Sequence, residues 1–188
     1  MINADSMQVY DTLRVLTARP SVEDMQGIPH HLYGNVPAGG DYSTGAWLRD
    51  IELLLERLKG EGRVPVIVGG TGLYFKALTE GLAAMPPVAP EIRAKWRQAL
   101  DEEGASVLHA QLMANDPIMG GRLLPNDGQR IVRALEVFEA SGRSIADFQA
   151  ENPPPLIDAA NADKIVVLPE RPVLHDRINR RFETMLEA

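Results

Sequence analysis

The sequence has no cysteine among its 188 residues. Disulfides, thiolate zinc sites and thiol nucleophiles are therefore excluded, and the composition fits a reducing compartment. No apolar run approaches the roughly 18 residues that a membrane helix requires. The N-terminus also lacks the order of charged, apolar and cleavage regions that defines a signal peptide. A formal net charge of −7 counts against a dedicated nucleic-acid module, which is usually basic, but allows a local basic face.

The sequence also lacks the Gly-x-x-x-x-Gly-Lys-Ser/Thr run of a Walker A phosphate loop. What it contains is the composition of a packed globular protein, with 45% hydrophobic and 24% charged residues. Its length suits one ordinary domain or a domain that carries a small insertion.

Helix and strand signals alternate in the first part of the chain. Apolar residues recur at helical spacing over 43–59, with Ser43 as a plausible N-cap. The continuous apolar run at 64–68 is typical of a strand that is buried on both faces of a parallel sheet. A helix is predicted at 73–79. A strand, a crossover helix, a buried strand and a helix in this order predict an α/β fold with a parallel sheet core.

Two proline clusters divide the chain, because proline-rich joints make semi-rigid connections. The first cluster begins at Pro86 and the second covers residues 153–155. We predict a first part of the sheet core at 1–85, a helical insertion at 86–155 and a second part of the core at 156–188. The insertion is predicted to hold helices at 91–103, 105–114, 128–141 and 144–149. The apolar run 165–168 predicts a return to the sheet, followed by a helix from residue 173.

Polar side chains follow the predicted first strand, at residues 2–4. Asp5, Ser6 and Gln8 bring a carboxylate, a hydroxyl and an amide to one turn. Active sites of α/β folds are assembled at strand ends, because the loops there converge on one crevice. A carboxylate in such a place can accept a proton during a reaction. The alternative is that Asp5 and Ser6 only form the turn.

Residues 69–72, Gly-Gly-Thr-Gly, connect the second predicted strand to the next helix. Glycines let the backbone approach a ligand closely, and a helix N-terminus offers free N–H groups to an anion. Thr71 adds a hydroxyl group. The same pattern also occurs in tight connections where the threonine only caps the helix.

The helix predicted at 128–141 carries Gln129, Arg130 and Arg133 close together. Two guanidinium groups and an amide can bind phosphates or base edges. The alternative is structural, since Gln129 can complete a capping box and Arg133 can pair with Glu136.

The last predicted helix carries Arg177 and Arg181 on one face, four residues apart, which suits a polyanion such as diphosphate. A solvated basic face is the alternative. His30 and His31 do not predict a metal site, because no further ligand has a recognisable spacing.

In this order, the motifs resemble those of the tRNA dimethylallyltransferase family, also called the tRNA isopentenyltransferase family. The matching stretches cover essentially the whole chain: Asp-Ser-Met-Gln-Val-Tyr at 5–10, Thr-Ala-Arg-Pro at 17–20, Pro-His-His-Leu at 29–32, Gly-Gly-Thr-Gly-Leu-Tyr-Phe-Lys-Ala-Leu at 69–78, and the segment 126–137. The resemblance implies a core related to P-loop nucleotide kinases and a helical insertion that grips the tRNA anticodon stem-loop.

Members of that family transfer a dimethylallyl group from dimethylallyl diphosphate to N6 of the adenine 3′ of the anticodon, and they release diphosphate. By resemblance, Asp5 is the general base on the adenine amine, and Thr71 and Arg181 also take part in catalysis. The diphosphate side is implied to hold Thr71, Arg177 and Arg181. The tRNA-binding positions implied by the resemblance are Asp5, Ser6, Met7, Gln8, Thr71, Arg93, Gln129, Arg130, Ile131, Val132 and Arg133.

The sequence departs from the family pattern at both ends. A strand, a phosphate loop and a helix precede the Asp-Ser stretch in the family, and a helical portion follows the region that ends here at residue 188. We therefore expect a fragment that is poorly stable and inactive by itself. The resemblance further implies nucleotide binding, ATP binding and Mg²⁺, whose phosphate-loop ligand is absent from this sequence. It also implies a cytoplasmic monomer with no membrane partner.

Two alternatives to a tRNA-modifying enzyme follow from the same residues. A related adenylate isopentenyltransferase would act on free nucleotide, but the large insertion with Arg130 and Arg133 favours tRNA. A non-catalytic RNA-binding protein would use the same surface without turnover.

Overall fold

The structure, a computed structural model, describes residues 1–187 and divides them into two compact units. Unit 1 consists of Met1–Glu80 together with the described residues from Pro155 onward, and unit 2 is Gly81–Pro154. These bounds lie near the predicted ones, which followed residues 85 and 155. At Gly81, φ is +82° and an added Cβ would overlap the carbonyl oxygen of Pro153, so this position requires glycine.

The regular elements are short in unit 1 and longer in unit 2. The strands are β1 (Ile2–Asn3) and β2 (Ile67–Val68). The helices in chain order are α1 (Arg14–Thr17), α2 (Val22–Met25), α3 (Thr44–Gly60), α4 (Gly72–Glu80), α5 (Pro90–Glu103), α6 (Ala105–Asn115), α7 (Pro117–Arg122), α8 (Gly128–Ser141), α9 (Ile145–Ala150) and α10 (Arg171–Glu187), with a short 3₁₀ helix at Ala159–Asn161.

The sheet of unit 1 is parallel, as the sequence predicts. Ile2 is paired with Ile67 and Asn3 with Val68, and β1 also forms an isolated bridge from Ile2 to His31. Parallel strands end at the same edge of a sheet, so the residues that follow β1 and β2 come together. The α/β fold class predicted from the sequence is confirmed.

The core of unit 1 is formed by β1, α3 and α4. Trp47 of α3 stacks on Tyr74 of α4 with ring centroids 4.3 Å apart, and the Trp47 indole N–H donates to the carbonyl of Asn3 at 2.8 Å. The helix α3 begins as predicted, because the Ser43 side chain accepts from the backbone N–H of Ala46. The buried apolar side chains of this core are Ile2, Ala4, Trp47, Ile51, Leu54, Leu58, Tyr74 and Leu78.

Two strand predictions differ from the structure, one in part and one entirely. The predicted buried strand 64–68 contracts to Ile67–Val68, and Val64 is 88% exposed. The run 165–168 forms no strand, and its side chains are 81–90% exposed. Among the described residues, β2 pairs only with β1, and no strand lies beside the run 165–168. Residues 65–68 and 165–167 line a cavity of unit 1. An extended segment without a paired neighbour gains no ladder hydrogen bonds.

The regular elements of unit 2 are all helices, and α6 and α8 pack closely within it. The predicted helices of the insertion are all present, and α7 is an additional one. The fully buried side chains Leu108, Leu112, Ile131 and Val137 form the centre of the unit. In the described part of the chain, no helix is long and apolar enough to span a membrane.

Candidate active site

The candidate site lies where β1 and β2 end. The Asp5 turn (residues 4–8) follows β1, and the glycine turn (residues 69–71) follows β2. Two backbone hydrogen bonds join them: Ala4 N–H donates to the Val68 carbonyl at 2.8 Å, and Thr71 N–H donates to the Ala4 carbonyl at 3.1 Å. The two polar turns are thus fixed to each other by the continuation of the sheet ladder.

The Thr71 hydroxyl group connects the two turns. Its oxygen accepts from the backbone N–H of Ser6 at 2.9 Å, and the hydroxyl donates to Ser6 Oγ at 3.2 Å. The sequence left open whether Thr71 only caps α4. The structure instead turns its side chain toward the Asp5 turn.

Gly69 permits the close approach of these turns. An added Cβ would overlap the carbonyl group of Ala4 and lie 2.6 Å from the Asp5 nitrogen. At Gly70 an added Cβ would lie 3.7 Å from Asp5 Oδ2, which is an ordinary contact. The first glycine of the motif is therefore required by packing of the chain against itself, as in the tight-connection alternative, and its approach to a ligand stays a prediction.

Asp5 is half-buried, and one of its carboxylate oxygens stabilises its own turn. Asp5 Oδ1 accepts from the Met7 N–H at 2.8 Å, while the Asp5 N–H donates to the Asn3 side chain at 2.9 Å. Asp5 also lines the cavity of unit 1. Asp5 therefore stabilises its turn, as the structural alternative predicts, and it also lines the cavity, where a proton acceptor could meet a substrate.

The cavity of unit 1 has a volume of about 1220 Å³. This volume is larger than that of a typical small-ligand pocket, which is about 300–1,000 Å³. Asp5, Gln8 and Tyr33 line it together with Gly69, Gly70 and residues of α4, and the segment 161–167 lines it as well.

Two tyrosines near Asp5 are held in the protonated form. Burial raises the pKa of Tyr33, and the negative charge of Asp5 raises it further. Burial, followed by the neighbouring Tyr10 and Asp5, raises the pKa of Tyr74 to about 12. At neutral pH both phenols are therefore potential hydrogen-bond donors.

Asn3 and Tyr33 are site residues that the motifs did not predict. Asn3 is 0% exposed within the sheet, and Tyr33 lines the cavity beside Asp5. A polar residue inside a predicted buried strand was the available signal for Asn3, because buried polar groups need partners. Tyr33 had no comparable signal in the sequence. The loop that carries it returns to residues 8–10, where Gly34 N–H donates to the Gln8 carbonyl and Val36 bridges to Tyr10.

The arginines predicted for the diphosphate side lie on α10, and both are exposed. Arg181 donates from Nη2 to the Leu16 carbonyl of α1 at 2.7 Å. Gln8 donates to the carbonyls of Thr17 and Ala18 at the end of the same helix, at 2.9 and 3.2 Å. Among the described residues that line the cavity, neither Arg177 nor Arg181 occurs. Their roles stay predictions.

In unit 2, the predicted tRNA-binding residues of α8 separate into two groups. Gln129 and Arg130 are exposed and Arg133 is half-buried, whereas Ile131 and Val132 are 0% and 4% exposed. The side chains of Ile131 and Val132 pack in the core and hold the helix in place. A tRNA contact at these two positions stays a prediction, as do the roles of the exposed residues. Arg93 is exposed on α5.

Both arginines of α8 form ion pairs on their own helix. Arg133 contacts the buried Glu136 at 3.2 Å, as the structural alternative allowed, and Arg130 contacts Asp127 at 3.4 Å. The predicted capping box with Gln129 is wrong, because Asp127 is the N-cap and makes no side-chain cap bond.

The described residues do not form a metal site built from protein side chains alone. Mg²⁺ requires near-octahedral oxygen coordination, and proteins usually hold it with one or two carboxylates plus phosphates of the substrate. Within residues 1–187, no group of three or more His, Cys, Asp or Glu side chains comes together.

The chain is similar to proteins of one family. The family described as IPP transferase matches residues 8–188. The chain is 66% identical over 188 residues to a tRNA dimethylallyltransferase of Agrobacterium fabrum, and 62% identical over 186 residues to that of Rhizobium meliloti. The match to the Agrobacterium protein covers 100% of this chain and 63% of that protein. The match to the Rhizobium protein covers 99% of this chain and 61% of that protein.

Solved structures show the same similarity. A full-length tRNA isopentenylpyrophosphate transferase from Bacillus halodurans is 32% identical, with a TM-score of 0.58, and the match covers 99% of this chain and 57% of that one. A eukaryotic dimethylallyltransferase acting on tRNA is 25% identical, with a TM-score of 0.73, and the match covers 99% and 46%. The chain thus spans less than two thirds of the length of these relatives. Since the family profile and the relatives match nearly every residue, the chain belongs to the IPP transferase family.

Proposed function

We propose that this chain carries the base side of the active site of a tRNA dimethylallyltransferase. The reaction is the transfer of a dimethylallyl group from dimethylallyl diphosphate to N6 of the adenine 3′ of the anticodon, with release of diphosphate. The observation that carries the proposal is the position of Asp5. Asp5 follows a parallel strand and lies beside the glycine turn. It lines a cavity that is large enough for a purine and an allyl group.

The chemistry requires groups at both ends of one displacement. The adenine amine is a poor nucleophile, because its lone pair is delocalised into the ring. As the N6–carbon bond forms, the bond from the allylic carbon to the diphosphate oxygen breaks, and diphosphate leaves with the electron pair. Asp5 takes the proton that N6 loses. Cations and N–H groups stabilise the negative charge that develops on the departing diphosphate.

The glycine turn and the arginines of α10 supply the diphosphate side in this proposal. The Thr71 hydroxyl lies within hydrogen-bond distance of Ser6 and can be shared with an anion when the site closes. Arg177 and Arg181 are exposed on one helix, and Arg181 makes its hydrogen bond to a single carbonyl oxygen. A guanidinium group with further free donors can turn to a phosphate.

The tRNA surface in this proposal includes the polar face of α8. Gln129, Arg130 and Arg133 supply an amide and two guanidinium groups, and Arg93 supplies a third from α5. Positive groups on a rigid helix can fix the register of an RNA backbone. The adenine must leave its stack before it can react, so a surface that holds the stem-loop supports the chemistry at Asp5.

In this proposal Mg²⁺ binds together with the diphosphate, since no group of three or more His, Cys, Asp or Glu side chains among the described residues would hold it alone. ATP or nucleotide binding, expected from the resemblance, has no Walker A loop to support it in this sequence. A cytoplasmic location and a monomeric state also belong to the proposal, and the absence of cysteine fits a reducing compartment.

The decisive experiment mixes the protein, at its full natural length, with unmodified tRNA and labelled dimethylallyl diphosphate. We expect label in the tRNA from the native protein. The variant Asp5→Asn should bind tRNA with similar affinity and should lose transfer by about 100-fold or more. Unchanged turnover in this variant would remove Asp5 from the role of base. The 188-residue chain assayed in parallel should show no transfer, and robust activity would refute that expectation.

The alternatives give different results in the same assay. A free-nucleotide prenyltransferase would label AMP and not tRNA, and the Arg130→Gln variant would retain full activity. A non-catalytic RNA-binding protein would bind tRNA without incorporating any label.

A further inference from the structure

We propose that Asn3 is a positioning residue, whose buried carboxamide fixes the direction of the Asp5 carboxylate. The inference rests on the proposed function, because it takes Asp5 as the proton acceptor. It concerns a different residue and a different property, namely the geometry of the Asp5 turn.

The carboxamide of Asn3 makes three hydrogen bonds. Its Nδ2 donates to the carbonyl oxygens of Asp5 at 3.0 Å and Leu32 at 2.9 Å. Its Oδ1 accepts from the Asp5 N–H at 2.9 Å. Asp5 is therefore held by its backbone N–H and by its backbone C=O, both through one side chain.

The backbone of Asn3 is satisfied separately, so the carboxamide is available for this task. Its N–H donates to the His31 carbonyl at 3.0 Å, and its C=O accepts from the Trp47 indole at 2.8 Å. Asn3 is 0% exposed. Both hydrogens of the amide and its oxygen have partners, and a fully satisfied buried amide is rigid.

A carboxamide is the side chain that this position needs. It must donate to two carbonyl oxygens and accept from one N–H at the same time. An aspartate would place a carboxylate against the carbonyls of Leu32 and Asp5, and a leucine would leave the Asp5 N–H without its acceptor. The two N–H donors and the oxygen acceptor of the Asn3 carboxamide thus orient the backbone at Asp5.

The effect reaches the carboxylate through the Asp5 backbone. Fixing N and C=O of Asp5 restricts both backbone torsions of this residue, and the side chain leaves from the atom between them. The carboxylate then accepts from Met7 N–H at 2.8 Å. No hydrogen bond joins Asn3 to Met7 in the described residues, so we expect a change at Asn3 to reach the Met7 N–H through Asp5.

The first test is hydrogen exchange resolved by residue, on the protein at its full natural length. In Asn3→Leu we expect the Met7 N–H to exchange about 2- to 12-fold faster than in the native protein, the equivalent of one lost hydrogen bond. The control Ile51→Val alters a fully buried side chain of the same core and should leave Met7 exchange unchanged. Unchanged Met7 exchange in Asn3→Leu overturns the proposal.

The second test separates positioning from folding. At a temperature where Asn3→Leu and Ile51→Val are both fully folded, the kcat for transfer should fall about 10- to 100-fold in Asn3→Leu only, with the KM for dimethylallyl diphosphate nearly unchanged. An equal kcat in the two variants overturns the proposal. If the native protein shows no transfer, the proposed function fails, and the exchange result alone decides on Asn3.

Where Asn3→Leu does not fold, Asn3→Asp takes its place. This variant keeps the acceptor for the Asp5 N–H and loses both donors. Its Met7 exchange, relative to that of the native protein at the same pH, should be fast at neutral pH and should slow when acid protonates the new carboxyl group and restores one donor. A ratio that does not change with pH counts against the proposal.

Discussion

The backbone N–H of Ser6 donates to the hydroxyl oxygen of Thr71 at 2.9 Å, across 65 residues of sequence. This bond joins the two polar turns that follow β1 and β2. It makes the threonine of the Gly-Gly-Thr-Gly motif part of the environment of Asp5, since Asp5 directly precedes Ser6.

Replacing Thr71 tests this connection. In Thr71→Val the shape is kept and the hydroxyl is lost, so the Ser6 N–H loses its acceptor. We expect unfolding free energy to fall by about 1 kcal/mol and transfer to tRNA to fall with it. The variant Thr71→Ser keeps the hydroxyl and should stay close to the native protein in both measurements. Equal behaviour of the two variants, in urea unfolding and in kcat/KM, would show that the hydroxyl group has no part in either property.

The two glycines of the glycine turn should differ in their tolerance of a side chain. Gly69→Ala places a Cβ into the Ala4 carbonyl group, and the backbone must move to remove this overlap. We expect a loss of about 2–3 kcal/mol in unfolding free energy. The matched variant Gly70→Ala makes only an ordinary contact, with a Cβ 3.7 Å from Asp5 Oδ2, and should lose much less. A similar loss for both, measured by chemical unfolding, would contradict this account of the turn.

The two arginines of α8 should separate stability from binding. Arg133→Gln leaves the Glu136 carboxylate, which is 5% exposed, without its cation, and we expect a loss of about 1–2 kcal/mol in the stability of unit 2.

Arg130 provides the comparison, because its side chain is 76% exposed. Arg130→Gln should change stability by less than about 0.5 kcal/mol. It should lower the slope of log affinity for tRNA against log salt by about 1, the value for one phosphate contact. Titrations at several salt concentrations measure this slope, and an unaltered slope would exclude Arg130 from the RNA interface.

His31 should make unit 1 less stable in mild acid. Burial lowers its pKa, and the positive charges of Arg57, the N-terminal amino group and Arg63 lower it further, while Glu61 opposes them. The folded state therefore binds fewer protons than the unfolded state, whose histidine keeps the ordinary value of 6.5. Stability falls as pH drops below about 6.5 and is regained above it.

The substitution His31→Gln should flatten this dependence of unfolding free energy on pH. His175→Gln removes an exposed imidazole from α10 and serves as the control. Thermal unfolding between about pH 5 and 8 measures the effect. A dependence that persists in His31→Gln and disappears in His175→Gln would reverse the assignment.

The exposed run 165–168 should make the 188-residue chain prone to associate. Val167 is 83% exposed in an apolar, β-branched segment that pairs with no strand of the described chain, and such segments can template intermolecular pairing. Val167→Lys should reduce light scattering at the same protein concentration without a loss of stability. Val22→Lys alters a residue of α2 that is 79% exposed and should have a smaller effect. Equal scattering by both variants would show that association does not involve the run.

Local patterns in the sequence predicted the longer helices but not the short helices α1, α2 and α7. Apolar residues at helical spacing predicted α3, and its buried side chains Trp47, Ile51, Leu54 and Leu58 lie on the face that this spacing indicates. The segment 165–168 shows the limit of such reasoning. Its β-branched residues favour a strand, but a strand also needs a neighbour, and the chain described by the structure offers none there.

The residue types of the candidate site were determined by the sequence alone: a carboxylate after the first strand, a threonine after two glycines, and arginines on three helices. The tertiary structure decided which of them meet. Parallel pairing of β1 with β2 brings Asp5 to Thr71, and the buried amide of Asn3 holds the turn between them. The reason is physical, because hydrogen bonds across 65 residues depend on strand register and on close backbone approach at Gly69, and neither leaves a local pattern in the sequence.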